Sequence, residues 1–128
     1  YPKLKGKEIA IWGISFKAKT DDIRKAPAIE VIKELLKEGA RVRVFDPAAL
    51  KNLQEVFSKK EIKYCANPYT ALKKADALLV LTEWDEFRNP DFEKMKKDMK
   101  ELVIIDGRNI YDPKETKEWG FVYLGVGR

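Results

Sequence analysis

Lys17 and Arg108 are the two side chains best placed to do chemistry, because each follows directly on an apolar run. Lys17 comes after Phe16 in the loop that leaves residues 7–13 (KEIAIWG), and Arg108 sits in Asp106-Gly107-Arg108-Asn109, just past residues 102–105 (LVII). A guanidinium can grip a planar array of phosphate oxygens through two parallel bonds, and an ammonium adds a mobile point charge. With Phe16 beside them the pair fits an anionic, partly aromatic ligand, such as one carrying a diphosphate. The bland alternative is that both are solvated surface cations. Any chemistry in this chain must use Lys, Arg, acids or the backbone. There is no histidine, which removes the commonest general base, a histidine-based zinc site and the usual triad. The single cysteine, Cys65, has no activating partner in view and is expected as a small buried apolar residue. Trp12, Trp84 and Trp119 are expected to serve packing.

Two acidic features invite other readings. Asp46 ends a valine-rich run where a ribose-binding acid would stand, but it lies further from Gly13 than the usual ~20 residues. Gly13 is followed by Ile14, Ser15 and Phe16, so the glycine-rich turn that lets a backbone approach a dinucleotide pyrophosphate is missing. Asp46-Pro47 therefore reads as a strand-ending turn. Asp21-Asp22 could suggest the acidic pocket of a receiver domain, but the pair lies deep inside the first loop and no aspartate ends a plausible third strand. Asp22 and Arg24 are expected to brace that loop by charge-assisted bonds.

The elements that must position these groups alternate along the chain. Residues 7–13 read as a buried strand. Residues 27–38 put Ala28, Ile29, Ile32, Leu35 and Leu36 on one helical face, with Pro27 in the first turn and Gly39 to end it. Residues 41–45 (RVRVF) alternate as a second strand, and a helix is expected over residues 48–58. Residues 62–65 form a short third strand at the sheet edge, and Asn67-Pro68 opens a small helix carrying Ala71, Leu72 and Ala75 inward. Residues 77–82 (ALLVLT) are apolar enough for a central parallel strand. A helix over 90–100, a strand over 102–105 and a last strand over 121–124 complete the pattern. With right-handed crossovers this predicts one domain over residues 1–128, a doubly wound α/β three-layer sandwich with a mostly parallel, Rossmann-like sheet. In such a sheet ligands bind beyond the carboxyl ends of the strands, which is where Lys17 and Arg108 stand.

The 128 residues carry a formal charge of +5, but acids interleave with Lys94, Lys96, Lys97 and Lys100, unlike the single-sign patch that nucleic acid favours. No nucleic-acid or membrane partner is expected, and the lone cysteine and the lack of a long apolar span favour a cytoplasmic protein.

The loop from Gly13 to Pro27, with Phe16-Lys17, Thr20, Asp22 and Arg24, resembles the opening of the UDP-binding, C-terminal domain of the UDP-glucose/GDP-mannose dehydrogenase family. Val44-Phe45-Asp46-Pro47, Ala75-Asp76-Ala77, residues 81–87 (LTEWDEF) and Asp106-Gly107-Arg108-Asn109 are similar to that family in the same order, and Thr82-Glu83-Trp84 favours its UDP-glucose branch. The resemblance covers residues 6–109. It implies that Lys17 and Arg108 contact a UDP-sugar, that Phe16 packs beside it, and that Thr20, Asp22 and Arg24 are structural. It departs at Ala26, where relatives often carry serine as a helix cap. It further implies a longer, homo-oligomeric enzyme that oxidises the C6 alcohol of UDP-glucose to a carboxylate with two NAD. The NAD site and catalytic cysteine would lie in an N-terminal part, so this piece would be inactive alone and bind no cofactor itself. A GDP-mannose or UDP-N-acetylmannosamine dehydrogenase, or a stand-alone nucleotide-binding module, are the alternatives.

Overall fold

In the computed structural model, which describes residues 4–14 and 27–125, the apolar run IAIW lies in strand β1 (Glu8–Trp12) and is buried on both faces. A parallel strand between two helical layers must be so. Helix α1 (Pro27–Lys37) comes next, with Glu30 in its first turn and Lys37 in its last, the arrangement that the helix dipole favours. Gly39 ends it at φ +85; its N–H and that of Ala40 donate to the carbonyls of Leu36 and Leu35 at 3.0 Å, closing the last turn as a left-handed C-cap does.

Strand β2 (Arg41–Phe45) pairs with β1 in parallel, Ile9 opposite Val42 and Ile11 opposite Val44. The helix expected over residues 48–58 is shorter than that: α2 is Leu50–Leu53. Beyond it Glu55 and Val56 donate to the carbonyls three residues back, Asn52 and Leu53. This tightening turns Phe57 into the core and leaves Val56 exposed. Strand β3 (Lys63–Tyr64) is the short edge, and a 3₁₀ turn over Thr70–Leu72 carries Ala71 and Leu72 inward, with Asn67 Oδ1 accepting from Thr70 N at 2.8 Å. Strand β4 (Ala77–Val80), helix α3 (Asp85–Arg88), helix α4 (Phe92–Asp98), strand β5 (Val103–Asp106), helix α5 (Pro113–Glu118) and strand β6 (Val122–Gly125) complete the described chain.

The sheet order is β3-β2-β1-β4-β5-β6, and every pairing is parallel. The sheet is the doubly wound, Rossmann-like one that the alternation predicts, and β1 and β4 flank the switch point. Right-handed crossovers put helices on opposite faces of the two halves. On the first face, α1 and α2 bury Ala28, Ile32 and Leu53 against Ile9, Ile11, Val42 and Val44. On the second, Leu72, Phe87, Phe92 and Met95 pack on Trp12, Leu78, Val80 and Ile104. Trp12 is core: it stacks on Phe87 at 5.2 Å and donates its indole N–H to the Pro68 carbonyl at 2.9 Å. No helix among the described residues is long and apolar enough to cross a membrane.

Candidate functional site

Strand directions bring the exits of β1, β2, β4 and β5 to one rim. At the switch point the fit is close. A Cβ on Gly13 (φ +96) would come within 2.5 Å of the Thr82 Cβ, so glycine is what lets the β1 and β4 exits touch. Gly13 N donates to the Phe45 carbonyl at 2.8 Å, Leu81 N to the Trp12 carbonyl at 3.0 Å and Gly107 N to the Val80 carbonyl at 2.8 Å. The rim is thereby continued one residue past each strand.

Two buried aspartates then shape the turns. Asp46 is 3% exposed. Its Oδ1 accepts from Ala48 N and Ala49 N, both at 2.8 Å, and its Oδ2 from Ile14 N at 2.7 Å. It is a clamp between the β1 and β2 exits, in keeping with its Asp-Pro setting. Asp106 is fully buried; its Oδ1 accepts from Arg108 N at 3.1 Å, and its Oδ2 from Tyr111 N at 2.9 Å and the Tyr123 hydroxyl at 2.8 Å. With Asn109 at φ 55, this turn presents Arg108 outward. Burial, then the neighbouring Asp106, Tyr69 and Tyr123, hold the Tyr111 phenol well above its ordinary pKa, so it adds no charge beside the carboxylate.

Arg108 Nη2 donates to Glu83 Oε1 at 3.0 Å, and Arg88 Nη2 donates to Glu83 Oε2 at 3.3 Å. One carboxylate from the β4 exit thus divides its oxygens between two guanidiniums. All three side chains are part-exposed, where such pairs contribute ~0–1 kcal/mol, so Arg108 is held by a contact that a stronger anion can replace. The sequence points to Arg108 but not to this partner. Trp84, at the head of α3, has a buried indole N–H with no acceptor among the described residues.

Phe16, Lys17, Thr20, Asp22 and Arg24 lie outside the described residues, so of the two expected cations the structure places Arg108. Cys65 is 3% exposed. Burial raises its thiol pKa, only partly opposed by Lys63 and Arg43, which makes it a core residue rather than a nucleophile. Trp119 stacks on Phe92 at 5.8 Å. No group of three or more His, Cys, Asp or Glu suited to a metal ion occurs among the described residues. The two described residues that follow β1 offer no open amide to a dinucleotide pyrophosphate. Gly13 is closed against Thr82, Ile14 is fully buried and its N–H is taken by Asp46, whereas a pyrophosphate needs open backbone amides there.

A family model described as the UDP binding domain of the UDP-glucose/GDP-mannose dehydrogenase family matches residues 10–113. The UDP-glucose 6-dehydrogenase of Pseudomonas aeruginosa is 42% identical over 132 residues, which span 98% of this chain and 29% of that protein. Among solved structures, the NDP-N-acetyl-D-galactosaminuronic acid dehydrogenase of Methanosarcina mazei matches with TM-score 0.83 and 32% identity over 98% of this chain and 26% of that one. The UDP-glucose dehydrogenase of Pyrobaculum islandicum matches with TM-score 0.80 and 29% identity over 98% of this chain and 26% of that one. The chain therefore spans less than a third of the length of these relatives. Two strand exits joined at Gly13 and Thr82, an arginine mounted on an aspartate-built turn, and a match that runs from β1 into α5 lead to one conclusion: the chain belongs to the UDP-glucose/GDP-mannose dehydrogenase family, as its UDP-binding domain.

Proposed function

We propose that this chain holds the UDP-sugar in a longer, NAD-dependent dehydrogenase that oxidises the C6 alcohol of UDP-glucose to a carboxylate. The observation that carries the reading is Arg108. Its backbone N–H is fixed by the buried Asp106, and its guanidinium stands at the carboxyl rim, paired among the described residues with a part-exposed glutamate. A diphosphate would offer that guanidinium two parallel charge-assisted bonds in place of one. Lys17, three residues after the buried Ile14, would supply the second charge, with Phe16 beside the ligand; Thr20, Asp22 and Arg24 would brace the same loop. The contribution is positioning: anchoring the diphosphate fixes the sugar against reacting groups held elsewhere in the polypeptide.

NAD would be held outside this domain, a reading supported by the closed approach at Gly13 and the occupied amide of Ile14. The catalytic cysteine would likewise lie in the rest of the polypeptide, because Cys65 is sealed in the core. Such an enzyme would work as a homo-oligomer in the cytoplasm, where a free thiol stays reduced. The names of the curated relatives favour UDP-glucose over UDP-N-acetylmannosamine or GDP-mannose, and the three sugar nucleotides can be ranked by how far each raises the melting temperature.

Titration calorimetry of the longer enzyme with UDP tests the site. Arg108→Ala is expected to weaken binding by about 10- to 100-fold, the worth of one charge-assisted contact of about 1.5–3 kcal/mol. Unchanged affinity would remove Arg108 from the site.

A further inference from the structure

Two guanidiniums, not one, meet at Glu83. They come from different elements, and each is mounted on a turn that a buried residue fixes. Arg108 follows the fully buried Asp106. Arg88 ends α3, a single turn at the β4 exit closed by the Phe87 amide, which donates to the Trp84 carbonyl at 2.9 Å. Phe87 is fully buried and stacks on Trp12, so α3 is pinned to the sheet and the residue after Phe87 stands at the rim. Arg88 Nη2 lies 3.3 Å from Glu83 Oε2, and Arg108 Nη2 lies 3.0 Å from Glu83 Oε1. The two cationic nitrogens are therefore separated by no more than one carboxylate and its two contacts. Among the described residues the other acid beside Arg88 is Asp85, whose Oδ1 lies 3.8 Å from Nε and whose side chain is 82% exposed, where water and salt screen its charge.

We infer that Arg88 is a second phosphate-holding residue of the UDP site, and that the ligand's diphosphate takes the place of the Glu83 carboxylate between Arg88 and Arg108. Part-exposed ion pairs contribute little to stability, so folding gives no strong reason to bring two cations to one carboxylate. Glu83 carries a single negative charge for the two guanidiniums. A diphosphate carries a charge on each phosphoryl group and presents two arrays of oxygens, so each guanidinium can form parallel bonds of its own instead of sharing one acceptor. Until the ligand arrives, Glu83 is the resident anion that keeps the two arginines close together. Binding is then the exchange of one anion for a stronger one. The inference deepens the proposed function and rests on it, because Arg88 has a phosphate to hold only if UDP occupies this rim.

Titration calorimetry of the longer enzyme with UDP at low salt, in a double-mutant cycle of Arg88→Gln and Glu83→Gln, separates contact with the ligand from action through the glutamate. Arg88→Gln is expected to weaken UDP binding about 5- to 20-fold on its own, and to keep a loss of at least about 3-fold in the Glu83→Gln background. A loss that vanishes in that background would mean that Arg88 acts only by drawing Glu83 away from Arg108, and it would overturn the inference, as would unchanged affinity in both. Arg88→Lys keeps the charge without the parallel bonds and should recover part of the affinity. Added salt should weaken UDP binding less steeply for Arg88→Gln than for the unsubstituted enzyme, and an equal salt dependence would also count against a direct contact. The Arg108→Ala titration reports separately on the proposed function. A loss there with none for Arg88→Gln keeps UDP at the rim and removes Arg88 alone, whereas no UDP binding by the unsubstituted longer enzyme sinks both.

Discussion

Asp46 and Asp106 end two parallel strands at the same rim, both are buried, and both direct each carboxylate oxygen to hydrogen-bond donors. The turns beyond them differ. The Asp46 turn closes inward, its carboxylate occupied by the amides leading into α2 and by that of Ile14, and it aims no cation at the rim. The Asp106 turn uses the same device to tie β5 to β6 through Tyr123, then projects Arg108 two residues later. An acid at a strand end is thus a clamp in both places, and in the proposed function the difference lies in the side chain that the clamp aims. Breaking the clamps separates the two cases. Asp106→Ala strands two buried donors, Tyr111 N and the Tyr123 hydroxyl, and the part-buried amide of Arg108, and is expected to cost about 3–5 kcal/mol in urea unfolding. Asp46→Ala frees the amide of Ala48, which is exposed, but strands those of Ile14 and Ala49, which are fully buried, so a comparable loss of about 3–5 kcal/mol is expected, and the two cases part in ligand affinity. In the longer enzyme UDP affinity should fall with the first substitution far more than with the second. Equal losses of UDP affinity would erase the distinction.

Two tyrosines sharpen the comparison at high pH. Tyr111 covers the Asp106 turn, and its pKa is held well above the ordinary value by burial and then by Asp106. Tyr64, on β3 beside the Asp46-bearing strand, is pushed up to about 12 by burial and then by Glu61, and donates to the Phe57 carbonyl at 2.6 Å. In both cases the folded chain keeps a proton that the unfolded chain releases near pH ~10. The stability these phenols confer is therefore complete below pH ~10 and declines as pH rises towards the folded values, up to about 12 for Tyr64. Denaturation between pH 9 and about 12 should show that decline. Tyr111→Phe should flatten it more than Tyr64→Phe, because the Tyr111 hydroxyl is the more deeply buried. The reverse order would place the stronger coupling on the β2–β3 side.

The sheet is legible in the sequence because its strands are near-continuous aliphatic runs ended by Gly13, Asp46 or Asp106, and α1 because five apolar residues share one face between Pro27 and Gly39. Helices α3 and α5 escape the sequence pattern. At four and six residues they are too short to show a period, although Asp112-Pro113 carries a cap signal, with Asp112 accepting from Lys114 N at 3.1 Å. Helix α2 is shorter than expected because an apolar pattern through Phe57 is satisfied equally well by a tightened turn. In the site, Arg108 can be picked out by its strand-end position, a one-dimensional cue. Its link to Glu83 joins residues that meet only once β4 and β5 pair, and neither residue alone signals it. Asp106 stands in the same strand-end motif as Arg108, but its carboxylate is committed to the turn itself, which no pattern in the chain distinguishes from a place on the ligand rim.

Glu83 gives the smallest and most specific test, since it bears on the projected arginine while leaving the clamp intact. Its carboxylate holds Arg108 at 3.0 Å and Arg88 at 3.3 Å, in the position where a bound anion would compete. Glu83→Gln should change unfolding stability by no more than about 0.5 kcal/mol, as for other part-exposed ion pairs. Because the neutral amide competes less well for the guanidinium, UDP affinity of the longer enzyme should rise by about 2- to 5-fold at low salt, and the gain should shrink as added salt screens the original pair. A fall in affinity would mean that the glutamate orients Arg108 instead of occupying the ligand's place. The Asp106 turn would then need a second residue, from the neighbouring strand, to aim its arginine.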